Sequence, residues 1–201
     1  MKIIAILLMI IRYCISAPIS ILLTLLTWVL SPILALPIFI VIENNRQWLM
    51  KPVRWFQTHD TAIDEYWLDN YFKSNSIFKN KTQKDFIENK WYQYIGRMFW
   101  LCRNPAYGFA HYIFGWESNG KNTDTIIIKK GNWDSPESNI KLVLRDNPDS
   151  NIFTRKSFQL QSQFYFYKTH YLRINMGWKS HTGFTKMMLA TFISPFRSWK
   201  S

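Results

Sequence analysis

The chain has 201 residues, enough for one extramembrane domain with a core of its own beside a membrane segment. It carries 25 lysines and arginines against 13 acids, a formal charge of +12 that points to anionic partners. Its two cysteines, Cys14 and Cys102, stand in no CxxC or Cys/His ligand spacing, which argues against a disulfide framework or a zinc module and suits a reducing compartment.

The charge is unevenly spread. Residues 1–42 hold Lys2 and Arg12 and no acid, and 43–150 hold fifteen bases and thirteen acids. Beyond Asp149 there are eight bases (Arg155, Lys156, Lys168, Arg173, Lys179, Lys186, Arg197 and Lys200) and no acid. Such a one-signed region is attracted to anionic lipid headgroups or to nucleic acid, and an apolar anchor in the same chain favours lipid.

That anchor is the stretch from Ile3 to Ile42, whose single charge is Arg12. A straight helix of this length would reach roughly 60 Å, about twice the apolar thickness of a bilayer. Pro18 directly after Ser16-Ala17 obstructs signal cleavage, and Tyr13 before Cys14 does not fit a lipoprotein signal, so the segment reads as uncleaved. Pro18, Pro32 and Pro37 predict kinks. The expected span is Ile19 to Ile42, with residues 2–14 as an interfacial helix and Arg12 snorkelling to the headgroups. A re-entrant hairpin turning near Pro18 or Pro32 is the alternative. Arg46, Lys51 and Arg54 after the span outnumber Lys2 and Arg12 before it, which places the carboxyl-terminal domain in the cytoplasm. Trp48, Arg54, Trp55 and Phe56 read either as an interfacial belt or as the first core residues.

His59-Asp60-Thr61-Ala62-Ile63-Asp64-Glu65 is the densest group of ionisable side chains. The spacing of His59 and Asp64 is not that of a helical metal pair, and His111 joins only through tertiary folding. Asp60 or Thr61 capping a helix from about Ala62 explains the group without chemistry. Residues 73–84 are polar and read as a surface loop. From Gln83 a helix places Phe86, Ile87, Trp91, Tyr94, Ile95, Met98 and Cys102 on an apolar stripe and stops at Arg103 before Pro105. Asn104 is then the expected N-cap and Pro105 the first residue of a next helix, with Ala106, Phe109, Ala110, Ile113 and Phe114 on one face and Gly115 at its end.

After Trp116 the period becomes that of strands. Residues 125–129, 140–145, 158–167 and 172–178 alternate, with Gly131-Asn132 and residues 146–149 as turns. A hairpin through Lys168-Thr169-His170 would set Phe166 opposite Leu172, Phe164 opposite Ile174 and Leu160 opposite Trp178, all on a buried face. The end of the chain, apolar at Met187 to Ala190 and closing with Arg197, Trp199 and Lys200, reads as an interfacial tail or as an edge strand over the sheet.

The order of Trp55-Phe56 and an acidic cluster, Arg103-Asn104-Pro105-Ala106-Tyr107-Gly108-Phe109, Gly177-Trp178-Lys179 and Pro195-Phe196-Arg197 resembles an uncharacterised family of small membrane proteins encoded by tailed bacteriophages and prophages. The resemblance spans most of the chain. It implies a viral gene in a bacterial host, and no activity or catalytic residues.

The expected architecture is an α+β membrane protein. A transmembrane or re-entrant helical anchor (1–45) precedes a membrane-proximal domain (46–201) made of a helical part (60–116), an antiparallel sheet of about four strands (124–180) and a basic apolar tail (184–201), with the helices on the apolar face of the sheet. The expected function is non-enzymatic, engaging a host or phage protein at the bacterial inner membrane. The membrane-interface residues would be Arg12, Trp48, Arg54, Trp55, Arg197 and Trp199, and Arg103, Asn104, Pro105 and Gly108 would have a structural role. The alternatives are a membrane-tethered nucleic-acid binder using Tyr165, Tyr167 and Arg173, or a virion component. With no Gly-rich phosphate loop, GxSxG or HExxH, no cofactor or metal is implied, and His59, Asp60, Asp64 and His111 are the only residues that warrant a test for catalysis.

Overall fold

The computed structural model describes residues 2–64, 81–117, 123–133, 137–167, 170–179 and 186–198. Its first element is one α-helix, α1, over Lys2–Leu34. The alternative of a hairpin turning near Pro18 or Pro32 is overturned, and the expected span to Ile42 stops short, because Ile40–Glu43 is a strand (β1) paired with Arg46–Leu49 (β2). Asn44 and Asn45 both take positive φ, 52° and 60°, the two-residue turn that matches strand twist and that asparagine tolerates best after glycine. Inside α1 the lost donor of Pro32 is replaced locally. The Ser31 hydroxyl donates to the Trp28 carbonyl at 3.0 Å, and Tyr94 donates to the Pro32 carbonyl at 3.1 Å.

The helices that follow are short. The expected continuous helix from Gln83 is two: α2 (Gln83–Glu88), capped reciprocally by Thr82 and Asp85, and α3 (Lys90–Arg103). Asn89 divides them by accepting from the amides of Trp91 and Tyr92 and so starting a new helix. The apolar stripe shifts as a result. Trp100, Leu101 and Cys102 are buried, whereas Ile87 and Trp91 are both 63% exposed. A further turn of helix, α4, covers Tyr107–Tyr112. The helix expected near Ala62 runs into residues outside the described set.

Among the described residues the larger sheet has seven strands rather than about four. These are β3 (Trp116–Glu117), β4 (Asp124–Lys130), β5 (Asn139–Asp146), β6 (Lys156–Tyr167), β7 (His170–Lys179), β8 (Lys186–Leu189) and β9 (Phe192–Ser198). Their order is β3-β8-β7-β6-β5-β4, with β9 also pairing β7, and the pairs β3–β8, β8–β7, β6–β5 and β5–β4 are antiparallel. Four of these strands fall where alternation predicted them. The end of the chain supplies β8 and β9, so the strand reading of that stretch is the one that holds.

The chain divides into two compact units. One comprises Met1–Leu22, Phe109–Phe164 and Arg173–Ile193, and the other Leu23–Gly108, Tyr165–Leu172 and Ser194–Ser201. The second has an ordinary apolar centre of Leu34, Leu49, Ile63, Phe86, Trp100 and Leu101. The first has a smaller one, Trp178, Met187 and Leu189, against which Met9, Tyr13, Phe114 and Phe158 pack.

Candidate functional site

The unusual feature of the first unit is which side of each element faces inward. Across β4, β5 and β6 the register aligns Ile126, Leu144 and Phe158 in one row and Ile128, Leu142 and Leu160 in another. These rows form the expected apolar face, but that face is the open one: Ile126 is 62%, Ile128 57% and Phe164 48% exposed. The opposite face carries Asn139, Val143, Ser157, Gln159 and Gln163, all buried. The expected helical cover is thus absent over β4, whereas Phe158 at the β6 end of the same face packs against Tyr13 of α1. Period-two alternation separates the two faces of a strand but does not say which one meets solvent. Between β6 and β7, Trp178 packs its ring on Phe158 (5.8 Å between centroids) and Gln161 donates to Asn175 at 3.0 Å. Gly177, at φ +93°, makes the approach possible, because a Cβ there would lie 2.1 Å from the Phe158 carbonyl oxygen.

Helix α1 shows the same reversal. Apart from Leu34 at its end, its buried positions are small or polar, namely Ala5, Arg12, Ser16, Ala17, Thr24, Thr27 and Ser31, while Ile3, Ile15, Leu22, Leu25 and Val29 are between 50% and 74% exposed. The buried hydroxyls are satisfied without water. Ser16 donates to the Arg12 carbonyl (2.8 Å) and Thr27 to the Leu23 carbonyl (2.7 Å). Only 22% of the most apolar window of this helix is buried, although it is long and apolar enough to cross a bilayer.

Arg12 does not snorkel outward. It is 8% exposed, donates to the carbonyls of Phe153 and Lys156 (3.0 Å to the latter), and lies over the Trp178 ring at 4.1 Å. Carbonyl oxygens and an indole face thus take the place of a carboxylate. Tyr13, one residue on, packs edge-on to Phe158 (4.9 Å) and Trp178 (5.6 Å). Ser20 donates to the Thr191 carbonyl at 3.0 Å.

The other residues singled out in the sequence fall as follows. Arg54 makes a bidentate pair with Glu43 (2.9 and 2.5 Å), lies 5.5 Å from the Trp48 ring, and holds the Glu43 carboxyl below its usual range. Trp55 is 42% exposed. Its backbone runs so close to Gly108 that a Cβ there would lie 2.6 Å from it, so that this glycine has the structural role of admitting a neighbouring stretch of the chain. Arg197 is buried and turned inward, donating to the Arg103 carbonyl (3.0 Å) and to the Asn104 side chain (3.3 Å), where it caps the end of α3. Asn104 therefore closes the preceding helix instead of opening the next. Pro105 and Ala106 form a turn with Ala106 at φ +53°, and α4 starts only at Tyr107. Trp199 lies outside the described residues.

In the acidic cluster, Asp64 pairs with Arg46 at 3.2 Å and His59 approaches Asp60 at 3.9 Å. His111 ends α4 with its ring against Tyr112. Among the described residues no group of three or more His, Cys, Asp or Glu side chains could hold a metal. Burial pushes the Cys102 thiol up, against the opposing hydrogen bond with Ser31 (3.0 Å). On the polar face of the sheet Lys129 stands directly opposite Lys141. The Lys141 ammonium is lowered by burial and then by the charges of Lys129, Arg145 and Arg173, a cationic row that sequence spacing did not single out. Nor did it single out Ser16, Thr27 and Ser31, although their spacing of three to four residues or its multiples within an apolar run is a signal of a helix face turned toward protein.

Fold and site together define a protein with a long apolar amino-terminal helix and an antiparallel sheet whose apolar face is open along β4. The chain belongs to a family of unknown function (DUF7338), whose profile it matches over residues 5–201. No curated protein and no solved structure matches it.

Proposed function

We propose that the protein is a non-enzymatic integral protein of the bacterial inner membrane, encoded by a phage, that presents its domain on the cytoplasmic side to a host or phage protein. The observation that carries the membrane reading is the outward side of α1, where Ile and Leu are about half to three-quarters exposed. A core helix of a soluble protein would be mostly covered. Transfer of each half-exposed Ile or Leu out of water contributes roughly 1 kcal/mol, so the whole face contributes on the order of 10 kcal/mol, more than salt-sensitive attraction to headgroups supplies. Bases without acids in the last fifty residues add attraction to anionic lipid.

The test is fractionation of cells expressing the full chain. Retention in the membrane pellet through 1 M salt and alkaline carbonate is the expected result, and release of intact protein by salt alone defeats the proposal.

A second reading, a membrane-tethered nucleic-acid binder, is favoured by the row of Lys129, Lys141, Arg145 and Arg173. It requires salt-dependent retention of single-stranded DNA by detergent-solubilised protein, weakened in Lys129→Gln.

A further inference from the structure

We infer that α1 lies in the plane of one leaflet and does not cross the bilayer, so that both of its ends are on the same side of the membrane. The inference rests on the membrane reading above and concerns its geometry. The helix has 33 residues, about 50 Å at 1.5 Å per residue, which exceeds the roughly 30 Å apolar core. Length alone would allow a tilted span, but the partners of the helix do not.

In the first unit, Arg12 is held by the carbonyls of Phe153 and Lys156, at a strand end where Lys156 and Arg155 pair with Asp146. Ser20 is held by the Thr191 carbonyl beside β9. These groups belong to an open sheet whose edge strand β4 is exposed at every residue. Open sheet edges and charged strand ends do not occur in hydrocarbon, so the stretch of helix bound to them lies at the membrane surface. In the second unit the same holds independently. Trp28 donates to the Cys102 carbonyl (3.0 Å) and the Pro32 carbonyl accepts from Tyr94 (3.1 Å), both at a helix whose end carries Arg103 under Arg197. Each half of α1 is therefore tied to groups that need water or protein around them, while its other side is apolar.

Tyr13 packs on Phe158, which shares its sheet face with Leu144 and Ile126. Within the first unit the helix thus lies on the open apolar side of the sheet. Within that unit the outward side of α1 (Ile3, Ile15, Leu22) and the exposed Ile126, Ile128 and Leu144 lie on one side of the sheet, which fits the acyl layer of a single leaflet better than a narrow partner groove.

The experiment uses the full chain in a Cys14→Ala background, which leaves the buried Cys102. Lys2→Cys and Lys51→Cys are introduced singly at the two ends, with Lys90→Cys as a marker of the domain side. A membrane-impermeant maleimide is applied to spheroplasts and to inverted inner-membrane vesicles, and carbonate retention is measured on the same samples. The expected result is that all three positions label from the same side and stay protected from the other, with the protein retained. Labelling of Lys2→Cys and Lys51→Cys from opposite sides, in retained protein, overturns the inference and leaves the membrane reading standing. Release by carbonate overturns both.

Discussion

The two compact units bury opposite kinds of surface. The second encloses Leu49, Ile63 and Leu101 at 0% exposure, with Arg97 and Gln57 buried beside them and satisfied by side-chain and backbone partners. The first turns Asn139, Ser157, Gln159, Gln163 and Asn175 inward and leaves Ile126, Ile128 and Phe164 outside. Around that centre the second unit has the core of an ordinary globular protein, although its part of α1 leaves Leu25 and Val29 exposed. The first has the arrangement expected where part of the solvent is apolar, since contiguous exposed apolar surface marks a contact with lipid or another protein. Segments of one chain with similar alternation or periodicity can therefore turn opposite faces inward, depending on what packs against them.

The sharpest test of this contrast compares truncations of the two kinds of apolar residue. In detergent, Leu101→Ala should cost about 2–5 kcal/mol, as expected for a fully buried leucine, whereas Ile126→Ala should change stability by about 0.5 kcal/mol or less. Thermal unfolding followed by circular dichroism reads both, and comparable losses would mean that Ile126 is covered. A similar comparison can be made on neighbouring residues of β6. Gln163 is 6% exposed and accepts from Asn139 at 3.1 Å. Gln163→Asp should therefore cost about 1–3 kcal/mol by burying a charge and shifting that bond, while Phe164→Asp should leave the fold intact and weaken liposome binding. The smallest expected effect is electrostatic. Burial pushes the Asp146 carboxyl up, but hydrogen bonds from Arg155 (2.8 Å) and Lys156 (2.5 Å) and their charges outweigh it and leave its pKa lowered. A lowered carboxylate contributes stability above its unfolded pKa and loses it as pH falls through the folded value. An acid titration of stability should thus lose about 0.5 kcal/mol for each of these partly exposed pairs below pH ~4, and Asp146→Asn should remove that portion of the pH dependence.

Local patterns were legible wherever a single short-range rule decides the outcome. The strands at 124–130, 139–146, 156–167 and 170–179 follow from alternation, and the turn at Gly131 from the Gly-Asn pair, whose glycine takes the positive φ. The hairpin at Asn44-Asn45 also had a local signal, but it was masked by the apolar run before it, so Ile40 to Ile42 read as the end of a span. Asn89 had one too, and its cap divides what periodicity joined. The Arg103-Asn104-Pro105 motif was recognisable, but its partner was not. Arg197 reaches it from 94 positions away, and no local rule anticipates a guanidinium on the last carbonyl of α3.

What the sequence by itself determined is therefore the inventory: an apolar amino-terminal stretch of about forty residues, alternating strands, a basic acid-free end and the two faces of each element. Only the tertiary structure decided which face goes inside. That choice depends on what is packed opposite each face, as Tyr13 is against Phe158 and the Lys156 carbonyl against Arg12, and such pairings are non-local. Alternation and helical period fix the separation of apolar from polar side chains, while the sign of the burial is set by the partner and the surroundings, which lie outside any sequence window.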